Sequence, residues 1–135
     1  FYCVDEILKQ FKREDFAAII VDIHAEATSE KQALAWYLDG RVSMVVGTHT
    51  HVPTADLRIL KQGTGLVCDL GSVATADSVL GADKVKVLNR FLTQMPGALA
   101  PAEDGPILFN SVLIEIDPHT GYVVHLERVD RVVGA

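Results

Sequence analysis

The spacing of apolar residues predicts alternating helices and strands in the first part of the chain. From residues 4 to 16 the apolar positions recur at helical intervals among charges, which is typical of an amphipathic surface helix. The β-branched run at residues 17–23 predicts a parallel strand covered on both faces. Ser29 and Gln32 predict a capping box at the start of a second helix, and Gly40 is expected to end that helix.

The second part of the chain is predicted to contain mostly β-structure. A strand at residues 42–46 is followed by a hairpin pattern, a small-residue loop, a helix and a final hairpin around a proline–glycine turn. The alternation of helices and strands indicates an α/β fold with a mixed sheet. The strands of the first hairpin are expected at 56–60 and 66–70, the loop at 71–81 and the helix at 85–95. The strands of the final hairpin are expected at 107–116 and 122–129.

Histidines follow two of the predicted strands, at the point where each strand ends. His24 comes directly after the first strand, and His49 and His51 lie in a loop of small residues after the second. Because the carboxyl ends of parallel strands meet at one edge of a sheet, we expect these imidazoles to lie close together. Neutral imidazole nitrogen is a ligand for zinc, iron and related metals. The sequence therefore predicts a metal site that contains His24, His49 and His51.

Polar residues beside these histidines are candidates for orienting the metal ligands. Glu26 and Asp22 flank His24, and each carboxylate is able to fix a histidine tautomer by accepting a hydrogen bond. Thr48 and Thr50 flank the histidines of the second loop and are expected to have a similar supporting role. Two plainer interpretations stay open. His24 could be a core histidine that is hydrogen-bonded to the backbone, and the loop with His49 and His51 could merely make turn hydrogen bonds.

Composition limits the partners of the chain. Its 135 residues, 49% of them hydrophobic, suffice for one domain or for part of a larger one. A net charge of -6, from 18 acidic and 12 basic residues, argues against nucleic acid or an anionic membrane as the main partner. The apolar runs are far shorter than the roughly 20 residues that span a bilayer, so we expect a soluble, cytoplasmic protein. Cys3 and Cys68 form no C-x-x-C motif and are expected to be reduced, buried thiols.

Other catalytic chemistries lack their usual sequence patterns. Ser72 and Ser78 lie in a small-residue loop without a G-x-S-x-G nucleophile elbow, and Cys68 has no basic neighbour to activate its thiol. The glycines at 63–65 and 71 do not match the phosphate-binding loop G-x-x-x-x-G-K-[ST]. Metal-assisted chemistry is the interpretation that is left, and no catalytic residue is assigned.

Four segments of the chain resemble a known family. Residues 24–31, 36–42, 46–52 and 90–96 have the sequences HAEATSEK, WYLDGRV, VGTHTHV and RFLTQMP. Together they resemble the YmdB-type branch of the calcineurin-like metallophosphoesterases. The resemblance implies a four-layer α/β/β/α fold that hydrolyses phosphodiesters, cyclic nucleotides among them. It also implies two divalent or trivalent metal ions, with iron, manganese or magnesium typical and zinc an alternative.

The same resemblance assigns the ligands and implies a missing part. His24 and His49 would bind one metal and His51 the other. The Gly-Asp, Asn-Glu and Gly-Asn-His motifs that supply the remaining ligands in an amino-terminal half are absent from residues 1–135. We therefore expect a single domain that forms the carboxyl-terminal half of a larger one. It should be inactive alone and should associate with that half, or with a second copy as a homo-oligomer.

Two other functions stay open at this point. The histidines could hold a single zinc ion in a metal-binding or interaction module that has no catalytic activity. Alternatively, the chain could be a structural half that folds only when it is paired with another polypeptide or with a second copy of itself. The number of metal ions bound separates the first alternative from the enzyme, and a sharply melting monomer would exclude the second.

Overall fold

Helices and short strands alternate along residues 1–134, which the computed structural model of the chain describes. None of the helices in this range is long and apolar enough to cross a membrane. The helices are α1 (Tyr2–Leu8), α2 (Thr28–Leu38) and α3 (Lys84–Thr93). The strands are β1 (Ile20–His24), β2 (Met44–Thr48), β3 (Arg58–Ile59), β4 (Gly65–Val67), β5 (Val73–Thr75), β6 (Ser78–Val79), β7 (Ala82–Asp83), β8 (Ile107–Phe109), β9 (Val112–Ile116), β10 (Val123–Arg128) and β11 (Arg131–Val133).

The central sheet has four strands in the order β1-β2-β4-β3. Strands β1, β2 and β4 run parallel, whereas β3 is antiparallel to β4, so the predicted mixed sheet is confirmed. In the register of the first two strands, His24 lies opposite Thr48. The two loops that carry histidines therefore leave the sheet side by side at one edge.

Apolar side chains cover the central strands β2 and β4 on both faces. On one face, α2 packs on the strands through a buried cluster that Val4 and Leu8 of α1 also contact. On the other face, the β9–β10 hairpin packs through Ile114 and Leu126 on Met44, Val46 and Val67. Burial of each such aliphatic side chain contributes about 1.5–3 kcal/mol. The described residues thus form helix, sheet and hairpin layers, and the four-layer sandwich stays a prediction. The first cluster contains Leu34, Ala35, Leu38, Val42, Val45, Leu60, Leu66 and Cys68.

A second, three-stranded sheet forms where the sequence predicts a loop and one long strand. Its strands follow the antiparallel order β11-β8-β5, and β6 pairs with β7 beside it. The predicted loop at 71–81 is therefore wrong, because β5 and β6 lie within it. The predicted strand at 107–116 is divided at Ser111, whose amide donates to Asp130 Oδ1 over 3.1 Å instead of continuing a ladder. Strand β8 thus joins one sheet and β9 another.

The first helix is shorter than the apolar spacing predicts. It ends at Leu8, and Arg13–Asp15 form only a 3₁₀ turn. Phe11 and Phe16 pack edge to face with ring centroids 5.5 Å apart. In a continuous helix, residues five apart lie about 140° apart around the axis, so this contact requires the helix to end.

The two predicted caps of the second helix have opposite outcomes. Gly40 follows α2 with a φ of +80°, the left-handed conformation that ends a helix, and this prediction is confirmed. The capping box is wrong, because α2 begins after Ala27 and no side-chain hydrogen bond caps it. Ser29 already lies within the first turn, where it is no longer in the capping position.

Strand β1 and Cys3 are more exposed than the sequence predicts. Ile20 is exposed because it lies on the face of β1 opposite Val21 and Ile23, and only these two pack against the cluster beneath α2. Cys3 is also exposed, whereas Cys68 is buried and both thiols are free. Burial, together with the carboxylate of Asp56, raises the pKa of Cys68 to about 11. This thiol is therefore neutral at physiological pH and unsuited to nucleophilic attack.

Candidate metal centre

Two of the predicted histidines meet at the carboxyl edge of the central sheet. His24 is the last residue of β1, and His49 directly follows β2. Nε2 of His24 lies 3.0 Å from Nδ1 of His49, and the rings are nearly perpendicular at 84°. The contact follows from the parallel register of β1 and β2, which brings the ends of both strands together.

The outer nitrogen of each ring has its own partner. Nδ1 of His24 lies 3.1 Å from Oγ1 of Thr48, whose hydroxyl donates to Oδ1 of Asp22 over 3.0 Å. Nε2 of His49 lies 2.8 Å from a carboxylate oxygen of Glu26. These acceptors place the N–H of each neutral imidazole on its outer nitrogen, as the supporting contacts of metal-binding histidines commonly do.

The remaining two nitrogens face each other and are suited to hold a cation between them. With both outer nitrogens protonated, the unprotonated Nε2 of His24 and Nδ1 of His49 lie 3.0 Å apart and their lone pairs repel. A shared proton or a metal ion removes that repulsion. The spacing would also allow both nitrogens to bind one ion, since metal–imidazole nitrogen distances are about 2.1 Å. The donor set of this pair therefore suits a transition-metal ion.

His51 is not gathered into the same cluster. Within residues 1–134, no group of three His, Cys, Asp or Glu side chains is arranged to hold a metal ion. His51 instead borders a cavity of about 280 Å³, whose lining includes Ser72 and Ser78. The hydroxyl of Ser72 donates to the main-chain carbonyl of His51 over 3.2 Å. The structure thus brings two of the predicted ligands together, and metal binding by His24, His49 and His51 stays a prediction.

The loop at residues 47–51, called the histidine loop below, has a strained backbone. His49 has a φ of +112° and His51 a φ of +65°, in the left-handed region that side chains rarely adopt. Each such residue costs on the order of 1–3 kcal/mol and persists only where surrounding contacts hold it. Thr50, between them, donates its amide to Oδ2 of Asp69 over 2.9 Å. Thr50 therefore supports the loop through its backbone, and its hydroxyl contacts Val52 instead of a histidine.

A buried ion pair behind the loop was not predicted from the sequence. Nζ of Lys31 lies 3.1 Å from Oδ2 of Asp69, and both residues are at most 1% exposed. The sequence does contain a sign of this ion pair. Lys31 falls at the helical spacing of Leu34, Ala35 and Leu38, on the helix face that packs on the sheet. A charge at a core position requires a partner, and Asp69 is the charge that interrupts the apolar run at 66–70.

Asp69 makes the free energy of unfolding vary with pH in the acidic range. Burial raises the pKa of its carboxyl, but hydrogen bonds from Gly71, Thr50 and Lys31 lower it more, so the folded pKa lies below the ordinary 3.8. Such a group stabilises the fold above its unfolded pKa, and that stabilisation is lost as the pH falls through the folded value. We therefore expect Asp69→Asn to be less stable than wild type near neutral pH and the difference to shrink below about pH 4. Urea unfolding at a series of pH values measures it, and a difference independent of pH would contradict this prediction.

The chain belongs to the YmdB-like protein family, whose model matches residues 1–129. The membership predicted from the four sequence segments is therefore confirmed. The chain is 46% identical over 130 residues to the 2′,3′-cyclic-nucleotide 2′-phosphodiesterase of Bacillus subtilis (strain 168), and this match covers 96% of the chain and 48% of that protein.

Two solved structures share the fold. A crystal structure of a hypothetical protein from Thermus thermophilus matches with a TM-score of 0.86 and 38% identity, covering 96% of this chain and 49% of that one. The crystal structure of a novel phosphatase from Mycoplasma pneumoniae matches with a TM-score of 0.88 and 32% identity, covering 98% and 46%. The chain thus spans about half the length of these relatives.

Proposed function

We propose that this chain supplies the histidine side of a dinuclear metal centre in a metal-dependent phosphodiesterase. One observation carries the proposal: the inner nitrogens of His24 and His49 converge at 3.0 Å while both outer nitrogens have acceptors. That arrangement leaves two lone pairs for one cation. Membership of the YmdB-like family and the name of the Bacillus subtilis relative support phosphodiester hydrolysis as the reaction.

The histidines divide between the two metal ions in this proposal. His24 and His49 would hold one ion, and His51 would contribute to the second, with iron, manganese or magnesium as the metals. When bound, the ions supply positive charge for the phosphoryl oxygens and a water of lowered pKa. The net charge of -6 on the chain would otherwise disfavour a phosphodiester anion.

The polar neighbours keep the ligands ready for the metal. Thr48 and Asp22 hold the N–H of His24 on Nδ1, and Glu26 holds the N–H of His49 on Nε2. Each contact leaves the inner nitrogen unprotonated, which is the form that binds a cation. These residues are positioning groups and make no contact with the reacting phosphate in this proposal.

A cyclic nucleotide is the substrate class we propose. The name of the Bacillus subtilis relative supports this choice. The cavity of about 280 Å³ beside His51 offers room next to the proposed centre for part of such a substrate. Hydroxyl groups of Ser72 and Ser78 line it and are suited to hydrogen-bond a ribose or a phosphate.

Metal removal and reloading test the proposed function in the complete protein that contains this chain. We expect chelation to abolish hydrolysis of a bis-aryl phosphate and of 2′,3′-cyclic nucleotides, and added Mn²⁺ to restore it with two ions bound per chain. Residues 1–135 alone should show little or no turnover, because they hold only part of the ligand set.

Three results would contradict this proposal. They are full turnover by protein freed of metal, strong turnover by residues 1–135 that His49→Ala abolishes, and binding of one ion without any hydrolysis. The last result would favour the metal-binding module instead. Elemental analysis of the reloaded protein, run beside the activity assay, separates these outcomes.

A further inference from the structure

Stability alone does not account for the buried Lys31–Asp69 ion pair. Both side chains are removed from solvent, and the pair is joined over 3.1 Å. Removing two charges from water costs several kcal/mol per ion, and apolar residues of similar size often stabilise a protein as well or better. The position of the pair, directly behind the histidine loop, points to a geometric purpose.

Asp69 contacts the histidine loop at the residue between the two strained histidines. Its Oδ2 accepts the amide of Thr50 over 2.9 Å as well as the Lys31 ammonium. His49 and His51, on either side of that amide, both have positive φ angles. Without an anchor at Thr50, these two residues would lower the free energy of the backbone by relaxing to negative φ. Their imidazoles would then change direction.

Asp69 also holds the segment on the other side of His51. Its Oδ1 accepts the amide of Gly71 over 2.9 Å, and the hydroxyl of Ser72 then donates to the carbonyl of His51. Lys31 brings the carboxylate into position from α2, so one carboxylate links the helix, the histidine loop and the segment that follows β4. Asp69 thus contacts the histidine loop directly at Thr50 and, through the Gly71–Ser72 segment, indirectly at His51.

We propose that Asp69, held in place by Lys31, is a positioning residue that sets the directions of His49 and His51 for cation binding. The inference rests on the proposed function for what the histidines bind, whereas the anchoring of the loop stands on the contacts alone. Supporting residues of this kind commonly change metal affinity by about 10–100-fold when they are replaced.

A matched pair of variants in the complete protein tests this inference. Asp69→Asn removes the negative charge that holds Lys31 and weakens the anchor at Thr50. Asp39→Asn is the control, because Asp39 is also buried and accepts two backbone amides, those of Gln62 and Thr64, over 3.0 and 3.3 Å. It lies about 12 Å along α2 from Lys31, at the far end of the helix.

Two measurements separate positioning from general stability. We expect Asp69→Asn to weaken Mn²⁺ binding about 10–100-fold by calorimetry and to speed hydrogen exchange at the Thr50 amide in metal-free protein. Asp39→Asn should lower the free energy of unfolding and leave Mn²⁺ affinity and Thr50 exchange as in wild type. Equal effects of the two variants on Mn²⁺ affinity and Thr50 exchange would overturn the inference.

A double variant covers the case in which Asp69→Asn does not fold. Lys31→Met with Asp69→Asn removes both charges, so no uncompensated ion is buried, yet the carboxylate anchor is still absent. It should fold and keep the weakened Mn²⁺ binding, and wild-type affinity in this variant would overturn the inference. If wild type binds no Mn²⁺, the proposed function fails. Hydrogen exchange at the Thr50 amide then tests by itself whether Asp69 anchors the histidine loop. Faster exchange only in the Asp69 variants supports the anchoring, and unchanged exchange overturns it.

Discussion

Replacing His49 with alanine in the complete protein is expected to reduce kcat for phosphodiester hydrolysis by at least about 1,000-fold. The variant removes Nδ1, one of the two nitrogens that converge at 3.0 Å, and leaves Nε2 of His24 without its partner. A bound metal contributes several kcal/mol of charge stabilisation in the transition state, and about 4 kcal/mol corresponds to this factor. Steady-state kinetics at saturating Mn²⁺, with metal content measured on the same samples, checks the prediction.

His125→Ala is the matched control for that experiment. His125 is an exposed histidine on β10 whose ring lies 3.7 Å from the carboxylate of Glu127, and it belongs to the face of the hairpin away from the core cluster. Its replacement should leave kcat and metal content unchanged. Wild-type kcat and metal content in His49→Ala would show that the histidine pair is not the cation site.

The meeting of His24 and His49 could be predicted from sequence because it depends only on strand order. Two parallel neighbours end at the same edge, and each has a histidine there. The place of His51 could not be predicted, because its direction is set by a φ of +65°. That angle depends on the contact of Thr50 with Asp69, a residue beyond another strand, and no local pattern reports such a contact.

The fold was predictable to the extent that its elements are local. Helix α3 follows from its apolar stripe, and the Asp83 carboxylate accepts the Lys86 amide to cap it, so the expected helix at 85–95 is confirmed within about two residues. The strand β5 was missed because three residues are too few to show a strand pattern and because they pair with β8 far along the chain. Tertiary pairing, not local preference, determines such short strands.

Gly47→Ala is expected to destabilise the protein by about 3 kcal/mol or more, the largest effect on stability that we predict for a single methyl group. A Cβ on Gly47 would lie 1.8 Å from the carbonyl oxygen of Cys68 and 2.8 Å from Cδ of Lys31. Lys31 is able to shift, but the carbonyl belongs to the backbone next to Asp69, and the Leu70 amide also donates to the Gly47 carbonyl over 2.9 Å. The alanine must therefore push the end of β4 away from β2.

The same displacement connects the stability of the sheet to the cation site. Moving Cys68 carries Asp69 with it, so Gly47→Ala should weaken Mn²⁺ binding in whatever fraction of the protein still folds. Gly97→Ala is the control, because a Cβ there meets nothing within 4 Å and the stability should change by less than about 1 kcal/mol. Urea unfolding of both variants measures the difference. Equal stability of Gly47→Ala and Gly97→Ala would mean that β2 and β4 separate easily, and the close approach at Gly47 would then not hold Asp69 against the histidine loop.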